Sequence, residues 1–333
     1  MDNIVTGTMA IIGSGYMGGG IAQVFALAGT TVLVADVSAD IARQGRARLL
    51  RDADDFVRAG IFPPDAVALL EEHVVAADSL EAAVADADFV EEAVPEDFAL
   101  KRETLRRVGA AARGDAIIAT NTSAIAITDL ASAVPGPERF LGVHFMNPAP
   151  FIPGVEVIVH PRTDPATLAA TQTLLARAGK VPVAIKDTTG FVVNRLQYAL
   201  FSEAARVLAE GVATAQDIDN LVRSSFGFRL ALFGPFAIAD MAGLDVYRAA
   251  YGSLQSAYPD RFSPPQVLDD LVQAGDLGVK TGAGFFRLDP AQRDQLVAYR
   301  DRAYAALGEL IRNLGPSPHM TAAAPTDASE SGQ

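Results

Sequence analysis

The most constraining feature of this chain is a glycine triplet in a fixed setting. Gly13, Gly15 and Gly18 follow the apolar run Thr8–Ile12 at once and open a segment of helical character that reaches about Gly29. That order predicts a buried strand, a tight turn and a helix packed back onto the strand. The first glycine makes the turn, the second leaves bare backbone for a pyrophosphate, and the third lets helix and strand approach closely. Tyr16 and Met17 stand at the head of this helix, whose free amides and positive dipole end suit phosphates. Asp36 closes the next apolar run, Thr31–Asp36, where a carboxylate accepts hydrogen bonds from ribose hydroxyls. A carboxylate there repels a 2′-phosphate, and no arginine follows in Val37–Asp40, so the expected ligand is NAD rather than NADP. A glycine-rich turn alone also occurs in other α/β chains; strand, helix and Asp36 together carry the assignment.

The rest of the first half repeats the strand–helix alternation. Phe89–Val94, Ala116–Thr120 and Phe140–Phe145 are short, nearly continuous apolar or β-branched runs, as strands buried on both faces require. Ile41–Gly60 and Pro64–Val75 between them have helical spacing. Val155–Val159 and Val181–Ile185 add two strands around a helix at Pro165–Ala178. The expected fold class is α/β, a doubly wound, largely parallel sheet of the Rossmann type, followed by an all-α domain. The boundary falls near Asp187, giving an NAD-binding domain at 1–187, a helical substrate and dimerisation domain at 188–314 and a mobile, Pro/Ala/Ser/Thr-rich tail at 315–333. Gly190–Glu210 is apolar almost all round, so such a helix must be covered by its own domain or by a second subunit. Thr214 and Asp217 resemble a capping box, and no convincing strand follows before Leu314.

Composition narrows the function classes. The 333 residues are 50% hydrophobic and 20% charged, enough for a large core in one large or two ordinary domains. Lys and Arg number 27 against 40 Asp and Glu, a formal charge of −13, which argues against nucleic acid or an anionic membrane as partner. Without cysteine there is no disulfide scaffold, thiolate zinc site, iron–sulfur cluster or cysteine nucleophile, and no metal is expected. The opening residues MDNIVTG lack the basic stretch and apolar core of an export signal, and no apolar run approaches the roughly 20 residues that span a bilayer. A cytoplasmic protein acting on a small molecule is the expectation.

Of four histidines, His319 lies in the tail and His73 in a charged helix end, both readable as solvated groups. His144 stands near the end of a buried strand, where ligands bind in open α/β sheets. Glu156, between Val155 and Val157, needs a partner in its own strand. A His144–Glu156 hydrogen bond satisfies both, fixes the imidazole tautomer and raises its basicity, as a general base requires. The same pair also reads as a purely structural one. Beside an NAD site the catalytic reading gains, because alcohol oxidation needs one base for the hydroxyl proton. Asn121-Thr-Ser123 and Asn194 could complete the pocket, although pattern alone favours a cap or turn role for each.

These residues carry a resemblance. The chain resembles the 3-hydroxyacyl-CoA dehydrogenase family through Gly13-x-Gly-x-Met-Gly18, Asp36, Asn121-Thr-Ser123, His144-Phe-Met-Asn-Pro148, Val155-Glu156-Val157, Gly190-Phe-Val-Val-Asn-Arg195, Gly234-Pro235-Phe236 and Lys280-Thr-Gly-x-Gly-Phe285, in order over about residues 8 to 287. The resemblance implies that His144 is the general base and Glu156 its carboxylate partner. Ser123 and Asn194 would hold the substrate oxygen, and Glu96 and Lys101 would lie near the nicotinamide end of the cofactor. It also implies a homodimer built through the helical domain, a role in fatty acid metabolism, and oxidation of an L-3-hydroxyacyl-CoA of the 3-hydroxybutyryl-CoA kind.

Two stretches depart from the acyl-CoA pattern. Phe151-Ile-Pro-Gly154 lacks a basic residue before the Val-Glu pair, and Gly227-Phe-Arg-Leu-Ala-Leu-Phe-Gly-Pro235 is long and contains Arg229. Both, with Asn194-Arg-Leu-Gln-Tyr198, look closer to the lambda-crystallin, L-gulonate 3-dehydrogenase and carnitine dehydrogenase branch, whose members act on small free 3-hydroxy compounds. Arg229 can clamp a substrate carboxylate bidentately or serve as a surface or interface arginine. A free hydroxy acid therefore stands beside the acyl-CoA as substrate. The remote rival is a non-catalytic, crystallin-like NADH-binding protein.

Overall fold

The computed structural model describes residues 7–318, so His319 and most of the expected tail lie outside the described residues. The chain divides into two compact units, Met1–Leu200 and Phe201–Gln333. The family of short apolar runs in the first becomes eight strands: β1 (Thr8–Ile12), β2 (Thr31–Ala35), β3 (Val74–Ala76), β4 (Phe89–Glu92), β5 (Ile117–Thr120), β6 (Phe140–Phe145), β7 (Gly154–Val159) and β8 (Val181–Lys186). Their order in the sheet is β3-β2-β1-β4-β5-β6-β7-β8. All pairs are parallel except β6 with β7. The helices of this unit are α1 (Tyr16–Leu27), α2 (Ala39–Arg58), α3 (Ala66–His73), α4 (Leu80–Val84), α5 (Phe98–Ala111), α6 (Ile127–Ala131) and α7 (Pro165–Arg177), and α8 (Val193–Ala209) begins in it.

The expected α/β architecture is present, with one strand more than the sequence reading. The segment Pro64–Val75 is helical only to His73; Val74 and Val75 then leave the helix and pair with Val32 and Leu33. Two adjacent β-branched residues beside an open sheet edge gain more from the ladder than from a further helical turn. The opposite edge strand, β8, carries Pro182 at its second position, where no backbone N–H is available to a further strand.

Because successive side chains on a strand point to opposite faces, the sheet has two cores. Met9, Ile11, Val34, Ala119, Leu141 and Val143 pack on one side under α1 and α2, while Ala10, Ile12, Val90, Ile118, Phe140 and Ile158 pack on the other. Ser38, Ser79, Asp97 and Asp164 each accept a backbone N–H and so start α2, α4, α5 and α7.

The second unit continues α8 and adds α9 (Ala215–Ser224), α10 (Phe226–Leu230), α11 (Pro235–Ala242), α12 (Leu244–Ala257), α13 (Gln266–Ala274) and α14 (Pro290–Leu314). Among the described residues it holds no strand, only isolated bridges at Gly278, Ala283 and Arg287. Thr214 starts α9 by accepting from the Asp217 amide at 3.1 Å. The buried Asp240 accepts from the amides of Phe285 and Phe286 at 3.0 and 2.9 Å, which joins the Gly234-Pro-Phe helix to the Lys280–Phe285 loop. None of α8, α9, α10 or α14 contains a buried residue, and Leu196, Phe201 and Leu208 lie open along α8. No helix among the described residues is long and apolar enough to cross a membrane.

The parity of β4 sets two neighbouring carboxyls apart. Glu92 faces the side of Ile12 and Val90 and finds Lys101, Thr120 and the Val94 amide. Glu91 faces the other core, and among the described residues neither of its oxygens has a partner. Complete burial, with the Glu92 carboxyl beside it, raises the Glu91 pKa well above 4.5; the Lys101 charge offsets this only in part. A carboxyl raised in the folded state carries no penalty below its unfolded pKa and a growing one as pH rises toward its folded pKa. Glu91→Gln should therefore match the parent in thermal melts at about pH 4.5. Above that its advantage should grow by up to ~1.4 kcal/mol per pH unit until the folded pKa is reached. A difference that stays flat from acid to neutral pH would mean that Glu91 does not titrate in the folded chain.

Candidate active site

The glycine turn is shaped by close approach. Gly13 has φ +107°, and a Cβ there would lie 2.6 Å from the Ala93 carbonyl oxygen; at Gly18 it would lie 1.9 Å from the Gly13 carbonyl oxygen. At Gly15 nothing stands within 4 Å of the missing Cβ. Gly15 instead borders a cleft of about 540 Å³ that also touches Gly13, Tyr16, Met17, Asp36, Glu96 and Ser123. Asp36 lies just past the end of β2. Its Oδ2 accepts from the Ser14 amide at 2.7 Å and the Ser14 hydroxyl at 2.6 Å, and its Oδ1 from the Val37 amide at 2.7 Å. Burial pushes this carboxyl up, but the Ser14 and Val37 bonds and the Arg48 charge outweigh burial and hold it below its ordinary range. An ionised acceptor at the far end of a glycine-lined cleft fits a dinucleotide, with phosphates at the start of α1 and a ribose at Asp36.

The other end of the cleft is built on ionic support. Glu96 Oε1 accepts from the Thr122 hydroxyl at 2.6 Å and from the Ser123 and Ala124 amides at 3.0 Å each. Burial raises the Glu96 carboxyl, yet these bonds and Lys101 bring it below its usual value. Lys101 is wholly buried. Its Nζ donates to Glu92 Oε1 at 3.0 Å and the Val94 carbonyl at 3.1 Å, and stands 3.7 Å from Glu96 Oε2. Lys101 thus reaches the cleft only through the two glutamates, which hold the turn that presents Ser123. The Ser123 hydroxyl has no partner among the described residues, whereas its carbonyl accepts from Asn194 Nδ2 at 2.8 Å. Asn121 Oδ1 accepts from the Phe145 amide at 2.9 Å and so joins this turn to the end of β6.

His144 on β6 stands in register with Glu156 on β7, the antiparallel pair of the sheet. Nδ1 of His144 lies 2.8 Å from Glu156 Oε2, with both side chains buried. The second oxygen of Glu156 accepts from the Val192 and Val193 amides at 2.8 and 2.9 Å, where α8 begins. Those amides are aimed by an unusual backbone: Gly190 has φ +74° and Phe191 φ +50°, a region costly for a residue with a Cβ. The Phe191 ring repays this by complete burial, 5.6 Å from the imidazole. Nε2 of His144 has no partner among the described residues.

The sequence-predicted residues of the first unit therefore gather at the C-terminal ends of β1, β4, β5 and β6. His144 bonds to Glu156, Ser123 bonds to both Glu96 and Asn194, and Lys101 stands 3.7 Å from Glu96, while Gly13, Gly15, Tyr16, Met17 and Asp36 line the cleft. Arg229 lies in the second unit, on α10. Sequence reasoning missed several supports. Glu92 and Thr122 look like ordinary strand and turn residues, and which of Glu91 and Glu92 faces the site depends on strand parity. Lys180, buried, donates to the Ile152 carbonyl at 3.0 Å and also holds the Ala149 carbonyl, so it fastens the loop between His144 and Glu156. Burial lowers its pKa. Only its place after Gly179, at the start of a strand, hinted at an inward-facing amine.

Comparison with known proteins bears on this geometry. Residues 8–188 match the family model described as 3-hydroxyacyl-CoA dehydrogenase, NAD binding domain, and residues 190–288 match its C-terminal domain. A 3-hydroxybutyryl-CoA dehydrogenase of Bradyrhizobium diazoefficiens is 37% identical over 279 residues, 84% of this chain and 94% of its own. The 5-formyl-3-hydroxy-2-methylpyridine 4-carboxylate 5-dehydrogenase of Mesorhizobium japonicum is 35% identical over 304 residues, 91% of this chain and 97% of its own. The crystal structure of a 3-hydroxyacyl-CoA dehydrogenase from Archaeoglobus fulgidus covers 93% of this chain and 99% of its own, with 34% identity and a TM-score of 0.75. With both domains matched and the cleft shaped for the dinucleotide, the chain belongs to the 3-hydroxyacyl-CoA dehydrogenase family of NAD-dependent oxidoreductases that act on CH–OH groups.

Proposed function

We propose that this enzyme catalyses the reversible oxidation of an L-3-hydroxyacyl-CoA, of the 3-hydroxybutyryl-CoA kind, to the 3-ketoacyl-CoA. The observation that carries the reading is the buried His144–Glu156 pair with Nε2 of the imidazole left free. With Nδ1–H donating to Glu156, the Nε2 lone pair takes the proton of the substrate hydroxyl. The Glu156 carboxylate stabilises the imidazolium that results, itself supported by the two amides that open α8. The Ser123 hydroxyl, held in place by Glu96 and Asn194, donates to the substrate oxygen. Asn194 contributes through its hold on the Ser123 carbonyl as well as its nearness to the site. NAD, when bound, accepts the hydride that leaves C3.

A second reading rests on a specific observation. The Mesorhizobium japonicum relative is named for a free carboxylate substrate, so a small free 3-hydroxy acid, with Arg229 on its carboxylate, is the competing substrate class. We further propose the domain limits 1–187 and 188–314, a cytoplasmic homodimer and a place in fatty acid metabolism. What supports the dimer is the open apolar surface of α8, with Leu196, Phe201 and Leu208 at 58%, 67% and 47% exposure.

Glu156→Gln offers the sharpest test of the mechanism. Its amide oxygen can still accept from Val192 and Val193, but its amide NH₂ would face Nδ1 and force the proton onto Nε2, the wrong tautomer for a base. Turnover should fall by at least ~100-fold while NADH affinity stays within about 2-fold. His144→Ala should behave alike; unchanged turnover in either variant would remove the pair from the mechanism. The substrate class is decided by steady-state rates with NAD on 3-hydroxybutyryl-CoA and free 3-hydroxybutyrate. We expect kcat/KM to favour the thioester by more than ~100-fold, ~2.7 kcal/mol at the transition state; a preference for the free acid would give the second reading its place.

A further inference from the structure

The turn that precedes α1 is held from behind by the neighbouring helix. Ser14 gives both its donors to Asp36, the amide at 2.7 Å and the hydroxyl at 2.6 Å. Its carbonyl accepts from Nη2 of Arg48 on α2. The helix comes this close because Gly45 lies one turn before Arg48 on the same face, where a Cβ would meet the Ser14 Cβ and Oγ at 2.4 Å. The two helices are also tied directly, since Nε2 of the buried Gln23 on α1 donates to the Leu49 carbonyl at 2.8 Å. Arg48 thus reaches the turn from a braced element.

Arg48 does not line the glycine cleft. It borders a neighbouring hollow of about 290 Å³ that shares only Gly15 and Tyr16 with the cleft, so its effect on a bound dinucleotide must pass through the peptide it holds. In a trans peptide the carbonyl of one residue and the amide of the next point in opposite directions, and the Ser14–Gly15 bond is trans. Fixing the Ser14 carbonyl on Arg48 therefore turns the Gly15 N–H the other way. That amide has no acceptor among the described residues, and Gly15 borders the cleft with nothing within 4 Å of its missing Cβ. A charged donor on the carbonyl also polarises the peptide, which strengthens its N–H as a donor. We propose that Arg48 is a positioning residue for the dinucleotide: it holds the Ser14–Gly15 peptide so that the Gly15 amide is offered to a phosphate oxygen. The role rests on the NAD site alone and is independent of which hydroxy compound is oxidised.

NADH binding to the full-length protein, followed by fluorescence titration with no substrate present, tests this role. Arg48→Met removes donor and charge together and should weaken NADH by at least about 10-fold, the worth of a charge-assisted hydrogen bond. Arg48→Lys keeps a charged donor and should stay within about 3-fold of the parent, with the neutral donor of Arg48→Gln falling between the two. Melting temperatures without NADH show that each variant is folded. A residue that only braced α2 would shift these temperatures and leave the affinity of the folded protein unchanged. If Arg48→Met does not fold, Arg48→Gln is read in its place and must weaken NADH by at least about 3-fold. The proposal is overturned if the variant so read is folded and falls short of its expected loss, or if Arg48→Lys binds NADH as weakly as that variant.

Discussion

The site depends on one carboxylate with two employments. Glu156 gives one oxygen to the imidazole of His144 and the other to the two amides that open α8. A buried carboxylate left with an unsatisfied oxygen would be a liability of a few kcal/mol. Here the antiparallel turn of β7 against β6, the left-handed Gly190-Phe191 corner and the start of α8 all meet the same group. Remove the carboxylate and the imidazole loses its orientation, the helix loses its first acceptor, and the corner loses its reason to be strained.

A second carboxylate plays the matching part across the cleft. Glu96 gathers one hydroxyl and two amides, bending the residues after β5 into the turn that presents Ser123. Behind it, Lys101 and Glu92 form an ion pair with no exposure to water. Such a pair is weak evidence for stability, because desolvation offsets most of the attraction. Its value here is geometric: the two glutamates cannot move apart without stranding a buried ammonium.

Much of this was legible in the residues. The glycine triplet, Asp36 and the continuous apolar runs predict the sheet, and His144 and Glu156 declare themselves as polar groups in buried strands. The helical character of the second half also follows from its patterning. Less legible were features decided by tertiary placement. Val74 and Val75 read as the end of a helix until β2 offers them an edge. Glu91 and Glu92 are indistinguishable in sequence, yet one is anchored and the other left unpartnered, because alternate residues of a strand meet different cores. Lys180 and Phe191 carry signals too local to reveal a buried amine fastening a loop or a phenylalanine in a glycine-like conformation.

The sheet's two margins bear on how the protein behaves in a crowded solution. An eight-stranded sheet has two open ladders, either of which could recruit strands from other molecules. One ends in β3, three residues long, and the other in β8, whose Pro182 has no N–H to give. A short terminus and a missing donor deny an incoming chain a continuous template. The same economy that trims the edges therefore favours a freely dispersed protein over one that grows into fibrils.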